Sequence, residues 1–107
     1  MDTSTVIRMW ITNKNNSEIT TEMNNAMVDF LSSAMENGCN SFTFAEDDER
    51  VIVYTIWSDE KILEEFRSSD EYKNREKEII NSFLTAGFQL PDDILFNSTA
   101  KILRTHT

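Results

Sequence analysis

The chain has 107 residues, of which 39% are hydrophobic and 27% charged, and its formal net charge is −9. This length and composition are those of one globular domain with a single core, and they argue against disorder. The ten basic residues are scattered, so the chain lacks the clustered positive charge that binds nucleic acid or an anionic membrane. We therefore expect a single domain over residues 1–107 with neither partner.

Cysteine and histidine each occur once, as Cys39 and His106. One of each allows no internal disulfide and no zinc site of the usual Cys/His type, and we expect no metal or other cofactor. Residues 1–6 have no basic start followed by an apolar run, and no segment reaches the roughly 20 apolar residues of a membrane span. The predicted location is cytoplasmic.

Residues 6–12 are rich in β-branched and aromatic side chains and predict a first strand. Side chains alternate between the two faces of a strand. One face carries Val6, Arg8, Trp10 and Thr12, and the other carries Ile7, Met9 and Ile11. Because both faces are largely apolar, this strand needs cover on both sides.

A helix is predicted next, with Ser17 as its N-cap and Gly38 just beyond its end. Apolar residues recur there at three- and four-residue spacing, which gives one buried face. Two strands follow over residues 40–45 and 50–57, joined by four acidic residues. The acidic segment lacks the spaced ligands and glycine of a calcium loop, so a solvated turn is favoured over a cation site.

A second helical region starts at Ser58, the predicted cap. Ser68 and Glu71 have the spacing of a capping box that restarts the helix, which then continues to Gly87. A last strand is predicted over residues 100–105, with residues 94–96 as a short extra strand or an arm. The order βαββαβ predicts an α+β, ferredoxin-like fold with an antiparallel four-stranded sheet.

Two helices cover only one face of such a sheet. The other face would expose a large apolar patch, which monomeric proteins rarely do. The strand pattern therefore predicts a homodimer, in which a second copy covers the open face.

Three short patterns in the chain resemble the antibiotic biosynthesis monooxygenase family. They are an aromatic strand after Gly38 and Cys39, Trp57 at the end of the next strand, and Phe66 followed by Ser and an aromatic residue at Tyr72. The resemblance spans roughly residues 6–83. It implies a dimeric α/β barrel and relates the chain to oxygenases that act without metal or flavin on electron-rich aromatic polyketides and quinols.

Another branch of this family degrades haem with a histidine ligand on the second helix and an upstream tryptophan. The resemblance puts Glu76 and Phe66 at those positions, and a carboxylate is a poor substitute for the imidazole ligand. His106 fits a surface position at a strand end better than a ligand position. In the polyketide branch an asparagine precedes the tryptophan on its strand, where this chain has Val53.

The predicted substrate pocket is lined by Arg8, Trp10, Trp57, Phe66 and Tyr72. Trp57 would alternatively be a core residue under the second helix, which we favour over substrate contact. Arg8 would be either a pocket anchor or part of an ion pair at the dimer interface.

Two functions follow from different classes. The first is a cofactor-independent monooxygenase of a small aromatic or quinol-like compound, implied by the resemblance. The alternative is a non-catalytic homodimeric module that binds a small ligand or a protein. Its support is that the sequence offers no convincing general base.

Overall fold

The computed structural model of the chain describes residues 5–105. Its elements, in chain order, are β1 (Val6–Asn13), α1 (Thr21–Glu36), β2 (Cys39–Glu46), β3 (Arg50–Trp57), α2 (Glu60–Arg67), α3 (Asp70–Thr85) and β4 (Ile94–Lys101). The strands form one sheet in the order β2-β3-β1-β4, and every neighbouring pair is antiparallel. This confirms the ferredoxin-like α+β fold.

Helix α1 begins later than the sequence predicts. Its N-cap is Thr20, whose side chain accepts a hydrogen bond from the Met23 amide at 3.1 Å. Ser17 instead lies in the preceding loop, where its amide bonds to the Lys14 carbonyl at 2.8 Å. Serine and threonine both cap well, so a segment containing both does not fix the first turn by local chemistry alone.

The caps of the next two helices are also displaced by one residue. Asp59 rather than Ser58 caps α2, and Ser69 rather than Ser68 caps α3. The predicted capping box is wrong, because Glu71 is not at its third helical position and accepts a hydrogen bond from the Ser33 hydroxyl of α1. In each case two adjacent residues can cap, and the tertiary packing selects between them.

The last strand differs most from its prediction. Strand β4 occupies 94–101 rather than 100–105, and it pairs with β1 from Lys101 beside Val6 to Ile94 beside Thr12. Its middle reads Asn97-Ser98-Thr99, which is polar and includes an asparagine, a residue depleted in strands, so no apolar alternation marks a strand there. This segment becomes a strand because its backbone pairs with the central strand β1.

The helices cover one face of the sheet, and two buried clusters fill the space between them. One surrounds Met27, Val53 and Phe83, and the other surrounds Trp57, Leu63 and Phe66. The opposite face carries partly exposed apolar side chains and is called the open face here. Its central members are Ile7, Met9, Ile11, Ile52, Tyr54, Ile56 and Phe96.

Within residues 5–105, none of the helices combines the length and the apolar character needed to cross a bilayer.

Candidate functional site

A cavity of about 300 Å³ lies between the sheet and the helices. All five residues predicted to line a pocket border it: Arg8, Trp10, Trp57, Phe66 and Tyr72. Further polar residues that were not among those five also line the cavity: Thr55, Arg67, Glu76 and Asn97.

The local structure explains how these side chains meet. Alternation along β1 directs Arg8 and Trp10 to the helix side of the sheet, beside Thr55 and Val53 of β3. Phe66 lies near the end of α2, and α3 starts within four residues. The cavity therefore lies where the turn between the two helices faces the middle of the sheet.

Aromatic rings make up much of the cavity wall. Trp57 stacks on Phe66 with their ring centroids 5.5 Å apart, and Phe66 meets Tyr72 edge-on at 5.4 Å. Phe30 of α1 approaches Tyr72 at 5.8 Å. These distances lie within the range of favourable aromatic pairs. The rings therefore pack against one another and form one wall of the cavity.

Trp57 belongs to both the core and the cavity wall. Its side chain is only 1% exposed, and its indole N–H donates to the Thr55 hydroxyl at 2.9 Å. It also borders the cavity. The core position predicted for Trp57 is thus confirmed, and its contact with a substrate stays a prediction.

Arg8 lies at the cavity and on the face of the sheet opposite the open face. Its Nη1 donates to the Thr99 hydroxyl at 3.4 Å, and its Nη2 donates to the Asn97 side-chain oxygen. Both partners are neutral and belong to β4. Burial, and then the nearby positive charge of Arg67, lower the pKa of the Arg8 guanidinium.

A second polar pair comes from α3. The Tyr72 hydroxyl donates to Oε2 of Glu76 at 2.9 Å. Burial, followed by the charge of Glu76, raises the pKa of the Tyr72 phenol. The spacing of four residues places both side chains on one helix face, and that spacing is the sequence signal that identifies Glu76 as a neighbour of Tyr72.

Arg67 completes this polar cluster. Its Nη1 donates to Oε2 of Glu64 at 3.3 Å, outside the cavity wall. Its Nε is buried and has no hydrogen-bond partner among residues 5–105. Nothing in the local sequence distinguishes Arg67 from a solvated helix-end arginine, because its position depends on the approach of β1 to the end of α2.

Other chemistry finds less support in the described part of the chain. No group of three or more His, Cys, Asp or Glu side chains is placed there to hold a metal ion. Cys39 is buried outside the cavity wall, and that burial raises the pKa of its thiol, which disfavours a nucleophilic thiolate. His106 lies outside the described residues, so its predicted surface position stays a prediction.

Comparison with known proteins supports the fold rather than a sequence family. No protein-family model matches the chain, and no curated protein is similar to it in sequence. Among solved structures, SnoaB from Streptomyces nogalater, a cofactor-independent oxygenase, is similar with a TM-score of 0.67. That comparison covers 99% of this chain and 97% of SnoaB at 7% sequence identity.

A second similar structure is assigned as an antibiotic biosynthesis monooxygenase from Chloroflexus aurantiacus. Its TM-score is 0.64 at 9% identity, covering 97% of this chain and 98% of that one. The chain has the fold of the antibiotic biosynthesis monooxygenases. The predicted resemblance to this family is thereby confirmed at the level of the fold, and identities this low show the fold alone.

Proposed function

We propose that the protein is a cofactor-independent monooxygenase of a small aromatic or quinol-like compound, with the cavity as its active site. The observation that carries the proposal is an aromatic-walled cavity with a polar cluster on its lining. Its volume of about 300 Å³ is at the lower end of the roughly 300–1,000 Å³ typical of small-molecule sites. Arg8, Trp10, Trp57, Phe66 and Tyr72 are the proposed substrate-binding residues.

The proposed chemistry relies on a substrate that reduces O₂ once it has lost a proton. The aromatic wall would hold the ring away from water, which favours charge stabilisation by nearby groups. Glu76, hydrogen-bonded by Tyr72, is the proposed proton acceptor. Arg8 would stabilise the resulting anion. In an anthrone, the activated CH₂ becomes C=O with one oxygen atom of O₂, and the other leaves as water with the two hydrogens.

Oxygen uptake tests this proposal. Metal-free protein is incubated in air with a panel of hydroquinones and anthrones, and one O₂ should be consumed for each anthrone oxidised. Because general acid–base groups contribute about 10²-fold or more, Glu76→Gln should slow the reaction by about that factor. Arg75→Gln is the control, since Arg75 pairs with Glu78 on α3 and does not line the cavity.

The same experiment separates the alternative function. If no compound in the panel gives uptake above background, the enzyme proposal is wrong. Tight binding of the same aromatic compounds without uptake would then favour the non-catalytic module, which uses the same cavity for a ligand.

We also propose that the protein is a homodimer. The support is the open face, where six partly buried apolar side chains of β1 and β3 lie next to Phe96, itself 44% exposed. A contiguous apolar patch in the middle of a sheet is typical of an interface between protein chains. A second copy would pack its own open face against this one.

A further inference from the structure

The two arginines of the cavity are unusual in what they bind. Within the described part of the chain, Arg8 donates only to the neutral oxygens of Asn97 and Thr99. Arg67 shares one N–H with Glu64, and its buried Nε has no acceptor among residues 5–105. The cavity lining therefore contains two guanidinium groups. Among residues 5–105, no carboxylate is hydrogen-bonded to Arg8, and one, that of Glu64, is hydrogen-bonded to Arg67.

This arrangement is costly in the absence of a ligand. A buried donor without an acceptor is destabilising, and more so when it is charged. Burial, and then the positive charge of Arg67, lower the pKa of Arg8, an effect partly offset by Tyr72, Glu64 and Glu76. In spite of its burial, the pKa of Arg67 is raised by Tyr72 and Glu64. The chain has nineteen acidic residues, yet among residues 5–105 the cavity is lined by one carboxylate, Glu76, which accepts from Tyr72. An anion from outside the chain would satisfy both arginines.

We propose that the substrate is an aromatic acid whose carboxylate is bound by Arg8 and Arg67 while its ring occupies the aromatic part of the cavity. This rests on the proposed function and names its substrate class. A guanidinium presents its N–H groups as a planar fork that matches the two oxygens of a carboxylate. A neutral ketone or phenol offers one oxygen and would leave most of these donors unused.

A single negative charge fits the site best. Arg67 already shares its charge with Glu64, and Glu76 contributes another carboxylate to the lining. The formal charges of Arg8, Arg67, Glu64 and Glu76 therefore cancel, and the site selects an anion through its N–H donors rather than through net charge. A dianion such as a phosphate monoester would be repelled by Glu76 more strongly than a carboxylate would. Arg8 would then bind the carboxylate rather than the anion formed when the ring loses its proton, and the Tyr72–Glu76 pair stays free to accept that proton.

The alternative is that Arg8 only ties β1 to β4. The test compares 2-naphthoate with 2-naphthamide, which have the same ring system but differ in charge. Binding of each to the full chain is measured by calorimetry under nitrogen, so that no oxidation takes part. The acid should bind at least about tenfold more tightly, because one charge-assisted hydrogen bond is worth that much.

Variants show which residues cause the difference in affinity between the acid and the amide. Arg8→Gln and Arg67→Gln should each weaken naphthoate binding about tenfold or more while leaving naphthamide binding nearly unchanged. Arg75→Gln should alter neither. A merely structural role for Arg8 would weaken both probes equally, and this result would overturn its part in the proposal. If Arg8→Gln does not fold, the acid–amide comparison on the unaltered chain and the Arg67→Gln variant still decide.

The binding and oxygen-uptake measurements distinguish an error in the proposed anion site from an error in the proposed oxygenase function. Equal affinity for acid and amide overturns the inference, even where neutral hydroquinones are oxidised. A clear preference for the acid supports it, even where no compound consumes oxygen, because anion binding is measured without turnover.

Discussion

At the residue scale, Trp57 shows how one side chain contributes to both the core and the cavity. Trp57→Ala would remove the ring that stacks on Phe66 and would leave a large void. We expect it to lower the free energy of unfolding by about 3–5 kcal/mol, enough to unfold a marginally stable small domain. Urea denaturation followed by circular dichroism measures this.

Trp57→Phe is the matched variant, since it keeps most of the buried ring and loses the hydrogen bond to Thr55. It should retain the fold. If Trp57→Ala were as stable as the parent, the packing of the ring between sheet and helix α2 would be wrong.

Tyr72 predicts a specific response to alkaline pH. Burial and the charge of Glu76 raise its pKa above the value of about 10 of an unfolded tyrosine. The folded chain therefore keeps this proton at a pH where the unfolded chain loses it, so stability is full below about pH 10 and falls as the pH rises further.

Urea midpoints measured between about pH 9 and 11 should fall more steeply for the parent than for Tyr72→Phe. Identical slopes for the parent and Tyr72→Phe would contradict the partly buried position of Tyr72 beside Glu76.

At the element scale, the β2–β3 turn is held by one carboxylate. Asp47 accepts from the amides of Glu49 and Arg50 and from the Arg50 guanidinium at 2.6 Å. The Arg50 side chain, together with the Glu49 amide, lowers the pKa of Asp47 to about 2. This network explains the acidic turn without a bound cation.

The lowered pKa predicts that the stability contributed by Asp47 is present above about pH 4 and is lost as the pH falls toward 2. Asp47→Asn should therefore flatten this part of the acid-unfolding curve. Asp48→Asn, one residue along the same exposed turn, should leave the slope unchanged. Equal curves for the parent and Asp47→Asn would contradict the network.

The elements also show which parts of the fold a sequence can predict. Alternation predicted the two faces of β1, and with them the positions of Arg8 and Trp10. It failed for β4, whose polar middle becomes a strand only beside β1. Arg67 and Asn97 were missed for the same reason, since their places at the cavity depend on contacts between distant elements.

At the scale of the whole molecule, the open face predicts the oligomeric state. Sedimentation at micromolar concentration should give about twice the 12.4 kDa of one chain. Ile52→Lys, in the centre of the open face, should yield a monomer because burying an unpaired charge is costly.

Val28→Lys is the control for this experiment. Val28 is 50% exposed on α1, away from the open face, and its substitution should leave the dimer intact. A parent chain that sediments as a monomer would refute the dimer outright.

The pairing of β1 with β4 has a consequence for the order in which the molecule is completed. Asn97 and Thr99 of β4 are 89 and 91 positions from Arg8, so a ribosome adds that many residues after Arg8 before they can meet. Contacts between such distant segments also form slowly. A growing or clipped chain without β4 can form the β2–β3 hairpin but cannot hold Arg8 in place. A small molecule bound at the arginines would thus stabilise only chains that contain β4, and its presence during synthesis would protect them selectively from proteolysis.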